Sequence, residues 1–294
     1  MTRDGSPRTD IHQHIWPAAL IDALRARRCP PYLDGWTLHL AGEPPFAVEP
    51  ADHDPRRRLD RLARAGFARA LVSLSSPLGI EYLPAAEAGP LLAAYHDGAR
   101  DLPEEFGVWA ATALDDPDPA ALSAALDAGC VGLQLPATAL ADPTGFAACR
   151  PLLDVLEQRN RPLFVHPGPA PVAGGVPGWW PALVPYVQQM HAAWFAFGVT
   201  GRARHPGLRV CFAMLAGLAP LHGERAAARG GPVAIDPAAF VETSSYAAQA
   251  VGAVARALGE DLVVAGSDEP YARYTDPLPG AGLATSAVSR LLYG

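Results

Sequence analysis

Three short stretches of the chain hold residue types that can do chemistry. Asp10-Ile11-His12-Gln13-His14 sets two imidazoles two residues apart. On an extended strand, side chains at i and i+2 share a face, so His12 and His14 point the same way. Neutral imidazoles side by side are good ligands for a divalent metal. Phe164-Val165-His166-Pro167-Gly168 places a third His behind an apolar run, and Val263-Val264-Ala265-Gly266-Ser267-Asp268 ends another run in an acid. Each has an ordinary structural reading alone: a strand-end His is commonly a hydrogen-bonded core residue, and a strand-end Asp a helix cap. Together they offer three imidazoles and a carboxylate, which suits one divalent ion, with zinc the expected metal.

Elements must bring these four residues to one point. Apolar runs predict strands at Thr9–Ile15, Ala70–Leu74, Val108–Ala113, Val131–Leu135, Leu163–His166, Leu208–Met214, Phe240–Thr243 and Leu262–Gly266. Most are continuous rather than alternating, as in parallel strands buried on both faces. Helix signals lie between them. Asp54-Pro55 sets a capping Asp before a first-turn Pro, ahead of a stripe at Leu59, Leu62, Ala63 and Gly66. Asp118-Pro119, Asp142-Pro143 and Asp236-Pro237 open turns or helices the same way, and Val251, Val254, Ala255 and Leu258 form a stripe closed by Gly259. Eight strands alternating with helices predict an α/β fold of the (β/α)₈ TIM-barrel type. A doubly wound sheet would prefer a Gly-rich phosphate turn after the first strand, and none is there. In a barrel, strands one and eight are neighbours and strand five lies across the mouth, so the four candidate ligands converge. Two long segments, Cys29–Asp54 after the first strand and Gly168–Pro181 after the fifth, read as lids or pocket walls.

The chain has 294 residues, 50% hydrophobic and 18% charged, enough for one barrel domain spanning 1–294. A net charge of −7 without a basic patch argues against nucleic acid and anionic membranes as partners. All 23 basic residues are Arg, so Schiff-base, P-loop and carbamylated lysines are excluded. Cys29, Cys130, Cys149 and Cys211 form no C-x-x-C pair and read as reduced thiols. The polar first ten residues and the lack of a long apolar run predict a soluble, cytoplasmic protein without a signal peptide. The oligomeric state stays open between monomer and homodimer.

The phrases Asp-Ile-His-Gln-His-Ile-Trp-Pro, Phe-Val-His-Pro-Gly and Ala-Gly-Ser-Asp-Glu-Pro resemble the amidohydrolase superfamily, in particular its amidohydrolase-2 branch of aminocarboxymuconate-semialdehyde decarboxylase-like enzymes. The resemblance runs from Asp10 to about Leu292. It implies a metal held by His12, His14, His166 and Asp268; Asp268 is also the candidate catalytic base. Many branch members carry a His at the end of strand six; Met214 stands there, in Ala213-Met214-Leu215-Ala216-Gly217, with His222 the nearest substitute. The Gly42–Asp52 stretch also lacks the Arg with which the decarboxylases hold a carboxylate. A catalytic metal lowers the pKa of bound water from 15.7 to about 7, roughly 12 kcal/mol, whereas a positioned acid or base contributes about 3–5 kcal/mol. The first reading is therefore a metal-dependent hydrolase of an amide or lactone in a small, aromatic-type molecule, with Asp268 as base. A non-oxidative decarboxylase is the alternative, and a degenerate small-molecule-binding barrel the third reading. Trp16, Met214, Trp179, Glu269 and Tyr271 are the candidate substrate contacts. Trp180, Gln134, Ser244, Ser245 and Arg273 rank behind them, and His39, His53, His96, His191 and His205 read as structural or exposed.

Overall fold

A computed structural model describes residues 8–171, 175–231, 234–272 and 285–294. In chain order these form β1 (Thr9–Gln13), α1 (Ala18–Ala26), β2 (Tyr32–Asp34), β3 (Thr37–His39), β4 (Phe46–Ala47), α2 (Pro55–Arg64), β5 (Arg69–Val72), α3 (Ala85–Ala99), β6 (Phe106–Val108) and α4 (Pro119–Asp127). There follow β7 (Leu133–Pro136), α5 (Pro143–Gln158), β8 (Leu163–His166), α6 (Trp180–Leu183), α7 (Pro185–Ala196), α8 (Arg202–Arg204), β9 (Val210–Phe212), α9 (Gly223–Ala227), β10 (Ala239–Glu242), α10 (Ala248–Leu258), β11 (Val263–Val264) and α11 (Thr285–Tyr293).

Eight strands form a parallel ring. β1, β5 and β6 pair in that order, and β7 to β11 pair in sequence. The Ala110–Leu133 bridge joins β6 to β7. The ring closes through the Gln13–Glu269 bridge and the Ile11 N–H donating to the Ala265 carbonyl at 2.9 Å. A strand overlaps each of the eight expected runs: β8 matches its run, β10 keeps its length shifted by one residue, β1, β5 and β7 are one or two residues shorter, and β6, β9 and β11 are three or four shorter. The barrel interior is solid: Ile11, Leu71, Trp109, Phe164, Val210 and Phe212 belong to one buried cluster. Trp109 stacks on Phe164 with centroids 5.3 Å apart, and Phe164 meets the His12 ring edge-on at 5.0 Å, so an aromatic pair floors the mouth.

The caps read from sequence hold. Asp54, Asp118 and Asp142 each accept two N–H donors from the first turns of α2, α4 and α5, while Asp236-Pro237 opens a turn into β10. The buried face of α2 differs from the predicted stripe. Arg58 and Leu62 are buried, whereas Ala63 and Gly66 are exposed, because the Arg58 guanidinium is wanted inside. The segment Cys29–Asp54 is no simple loop: β2, β3 and β4 make a small antiparallel sheet. Strands of two or three residues amid Pro and Gly show no period, and so leave little trace in sequence.

After β9 the backbone takes an unusual path. Met214, Leu215, Ala216, Gly217 and Leu218 have φ between 49° and 65°, a left-handed turn in which four of five residues pay the Cβ penalty. Leu215 and Ala216 are fully buried, and Gly217 packs against the α7 backbone, so close that a Cβ would sit 2.9 Å from the Val187 carbonyl oxygen. The turn delivers the Met214 N–H to a carboxylate discussed below.

Candidate metal centre

His12 and His14 stand at the end of β1, His166 at the end of β8, and Asp268 four residues beyond β11. One ligand atom from each lies within 4.8 Å of all the others. The His12 and His14 Nε2 atoms are 3.0 Å apart, and Asp268 Oδ1 lies 3.4 Å from the first and 3.1 Å from the second. The three rings are mutually edge-on, with centroids 4.8 to 5.0 Å apart.

Each ring is oriented from behind. His12 Nδ1 faces Glu242 Oε1 at 3.1 Å, His14 Nδ1 faces the Ser73 carbonyl at 3.0 Å, and His166 Nδ1 faces the Pro167 carbonyl at 2.8 Å. All three partners are acceptors, so Nδ1 carries the proton and the Nε2 lone pairs converge. Burial pushes the His14 and His166 imidazoles down, His166 well below the ordinary range, and neighbouring imidazoles push the same way. For His12 burial also acts downward, but the Glu242 and Asp268 carboxylates outweigh it and the net direction is up. Asp268 Oδ1 is buried without a hydrogen-bond partner. A buried carboxylate oxygen facing three imidazole lone pairs is an arrangement that a cation satisfies. The residues fit a divalent ion.

The surrounding scaffold was largely invisible in sequence. Glu242, fully buried at the end of β10, also accepts from Met214 N at 2.8 Å, Ser244 N at 2.5 Å and Ser244 Oγ at 2.6 Å. Gly266 leaves it room, since a Cβ there would lie 2.1 Å from Glu242 Oε2. Asp10 accepts from the N–H groups of His12 and Ser267 and from the Gln13 amide, and burial raises its carboxyl to about 6. Arg58, fully buried, donates to the carbonyls of His14 (2.7 Å), Asp52 (3.0 Å) and Glu269 (3.1 Å) and to Gln13 Oε1. It ties the first strand to the last. Asp268 itself has φ of 58°, a left-handed conformation that Asp tolerates, with its N–H held by the His12 carbonyl at 2.9 Å.

The candidate substrate contacts fall in different places. Tyr271, 47% exposed, sets its ring 5.4 Å from His14 and its hydroxyl 3.4 Å from Ser75 Oγ. Trp16 is only 1% exposed: it stacks on His53 at 4.4 Å and donates to Ser75 Oγ, so it backs the wall. The Glu269 side chain lies 3.5 Å from Arg58 Nε. Trp179 is 56% exposed and tilts against Trp180. Met214 is buried in the apolar cluster. Gln134 is buried and donates to the Leu74 carbonyl and Ser76 Oγ, Ser244 serves Glu242, and Ser245 is exposed. Arg273 lies outside the described residues. His222 is exposed and pairs with His191 at 4.9 Å, so it does not stand in for Met214. Of the other histidines, His53 and His96 accept backbone N–H groups, while His39 and His191 are half-buried. One residue was missed altogether: Tyr186 on α7, whose hydroxyl is pushed upward by burial and by Glu43, Asp268 and Tyr271.

A parallel eight-stranded α/β barrel with three imidazoles and a carboxylate at the C-terminal ends of its strands defines a metal-site barrel enzyme. The chain belongs to the amidohydrolase family: the family profile described as Amidohydrolase matches residues 9–288. No curated protein matches the sequence. Among solved structures, it resembles the apo form of IDCase from Metarhizium anisopliae, with TM-score 0.73, 18% identity, and 99% of this chain and 93% of that chain covered. It also resembles 5-carboxyvanillate decarboxylase of Novosphingobium aromaticivorans, complexed with manganese and 4-hydroxy-3-methoxy-5-nitrobenzoic acid (TM-score 0.69, 16% identity, coverage 99% and 94%). A third is dihydroxybenzoic acid decarboxylase from a Polaromonas species, with manganese and the inhibitor 2-nitroresorcinol (TM-score 0.63, 13% identity, coverage 98% and 95%).

Proposed function

We propose that the protein is a metal-dependent carboxy-lyase acting on a small aromatic-type acid, built as one barrel domain. This reverses the order of the sequence reading, which puts hydrolysis first; the decarboxylases among the fold neighbours support the change. The observation that carries the reading is the buried Asp268 Oδ1, which has no hydrogen bond, in a cluster where one ligand atom from each of three imidazoles and this carboxylate lie within 4.8 Å of one another. His12, His14, His166 and Asp268 would hold one divalent ion. Three imidazoles and one carboxylate favour zinc, with manganese the rival on account of the neighbours. When bound, the metal supplies Lewis-acid stabilisation of negative charge developing on the substrate.

The chain's own residues do the rest. Asp268 is the one carboxylate among the four: it takes a proton from solvent and passes it to the ring carbon, which keeps the electron pair of the C–CO₂ bond as carbon dioxide leaves. The Tyr271 hydroxyl, placed by Ser75, hydrogen-bonds substrate beside His14. Glu242, Ser73 and Pro167 keep the three rings aimed. One observation favours hydrolysis as the second reading: among the described residues near the centre, the buried cation Arg58 is already engaged with carbonyls, leaving no guanidinium for a substrate carboxylate. Incubating the metal-loaded protein with aromatic acids and with lactones or amides separates the readings. Carbon dioxide release supports the lyase, and acid release from neutral substrates replaces it with the hydrolase. Binding without turnover would leave a degenerate barrel. Four free thiols fit a cytoplasmic location, and no helix among the described residues is long and apolar enough to cross a membrane.

A further inference from the structure

We propose that a cavity beside the mouth is a subsite for the protonated amine end of a small, otherwise apolar ligand, held by Glu43. The cavity measures about 420 Å³, ample for one substituted ring. Its walls are Pro30, Pro31, Pro77, Leu78, Pro169 and Pro171, with residues flanking the small antiparallel sheet on one side and the loops after β5, β7 and β8 on the other. Pro169 is three residues beyond His166, so the cavity flanks the metal centre on the β8 side. Glu43 and Asp268 both push the Tyr186 hydroxyl upward, after burial, the larger cause.

Among the described residues, Glu43 is the one charged residue in the lining. The lining hydroxyls of Tyr82 and Thr138 hydrogen-bond each other and so are spoken for. Glu43 has no hydrogen bond or ion pair among the described residues. It is half-buried, and burial pushes its carboxyl upward, the response of a charge that has lost water and gained no partner. Apolar walls with a single unpaired carboxylate recognise a cation on an apolar stem, which restores the lost solvation through a charge-assisted hydrogen bond. They repel a second carboxylate. A metal ion is the wrong occupant, because one carboxylate without further oxygen donors makes no hard-cation cage. The inference rests on the proposed function only for where the other end of the ligand lies; a substrate spanning both sites would be a small acid with a distal amine.

Binding of benzylamine and benzyl alcohol, matched in shape and differing in charge, tests this without needing turnover or metal. Titrations at pH 7 in low salt should show benzylamine binding about tenfold more tightly to the wild-type protein. In Glu43→Gln the preference should fall to about unity while benzyl alcohol binding is kept, which reports intact walls. Asp268→Asn should retain the preference, whether or not that variant holds metal or turns over. Equal affinities in the wild type, a preference that survives Glu43→Gln, or one that disappears in Asp268→Asn would overturn the assignment, the last by moving the amine to the metal-facing carboxylate. Loss of the metal reading alone leaves the outcome of this experiment unchanged.

Discussion

Glu242→Gln separates a residue that aims a ligand from one that fills space. The wild-type carboxylate accepts four donors: Oε1 takes His12 Nδ1, Met214 N and Ser244 Oγ, and Oε2 takes Ser244 N. Glutamine keeps the shape and can leave its carbonyl at the Oε1 position. Its amide then points N–H groups at the Ser244 N–H, so one buried donor loses its acceptor at a cost of about 1–3 kcal/mol. The negative charge behind His12 is also lost, and with it the basicity of the Nε2 lone pair. Changes in such supporting partners typically lower metal affinity about 10–100-fold, or ~1.4–2.7 kcal/mol. Chelator competition with zinc measures the affinity, and urea unfolding of the metal-free variant measures the stability. The expected result is a loss in both. A zinc affinity within about twofold of wild type, with stability unchanged, would refute the role assigned to Glu242.

Four further outcomes follow. His166→Ala should reduce bound metal from about one equivalent to none in elemental analysis, since two imidazoles and a carboxylate make a far weaker site; two tightly held ions in the wild type would contradict the single centre. Asp268→Asn should lower turnover by at least about 10²–10⁴-fold with little change in Tm, as a general acid or base demands. Met214→Leu should keep metal and most turnover, because its N–H to Glu242 is unchanged and the volumes are close; abolished chemistry with metal intact would give the sulfur a part. Glu81 is buried, bonded by Ser76 Oγ, and raised by burial from 4.5 to about 7. The folded state therefore binds more protons than the unfolded one between those values, and stability falls as pH rises across that window, by about 3 kcal/mol at most. Glu81→Gln should remove that contribution in urea unfolding from pH 4.5 to 7, leaving only the part of the fall that Asp10, raised to about 6, contributes.

The clustering of His12, His14, His166 and Asp268 was legible because each ends or follows an apolar strand, and parallel strands present their last residues to one mouth. The residues that hold them were not. Arg58 sits in the run Arg56-Arg57-Arg58, where any local reading makes it solvated, and only β1 and the loop after β11 reveal why it is inside. Glu242 ends a predicted strand like any polar terminator, and its partner His12 is 230 residues away. Burial of a charge depends on where its partners arrive, and local periodicity carries nothing about that. The Cys29–Asp54 segment failed for a different reason: its strands are too short for alternation to register.

The position after β9 joins these two lessons. Met214 looks like a lost proton-transfer group when only its side chain is considered. Its backbone N–H, however, is one of the four donors on Glu242, and through Glu242 it bears on His12. Five consecutive left-handed residues are expensive, at about 1–2 kcal/mol for each that carries a Cβ, and a turn that merely connected β9 to α9 would not need them. Here the turn does two things at once. It buries Leu215 and Ala216, and it brings Met214 N to 2.8 Å from a carboxylate that would otherwise keep an acceptor site open. Strand six thus contributes to the centre through its main chain. That leaves its side chain free to be apolar, and under the proposed mechanism leaves proton transfer to Asp268.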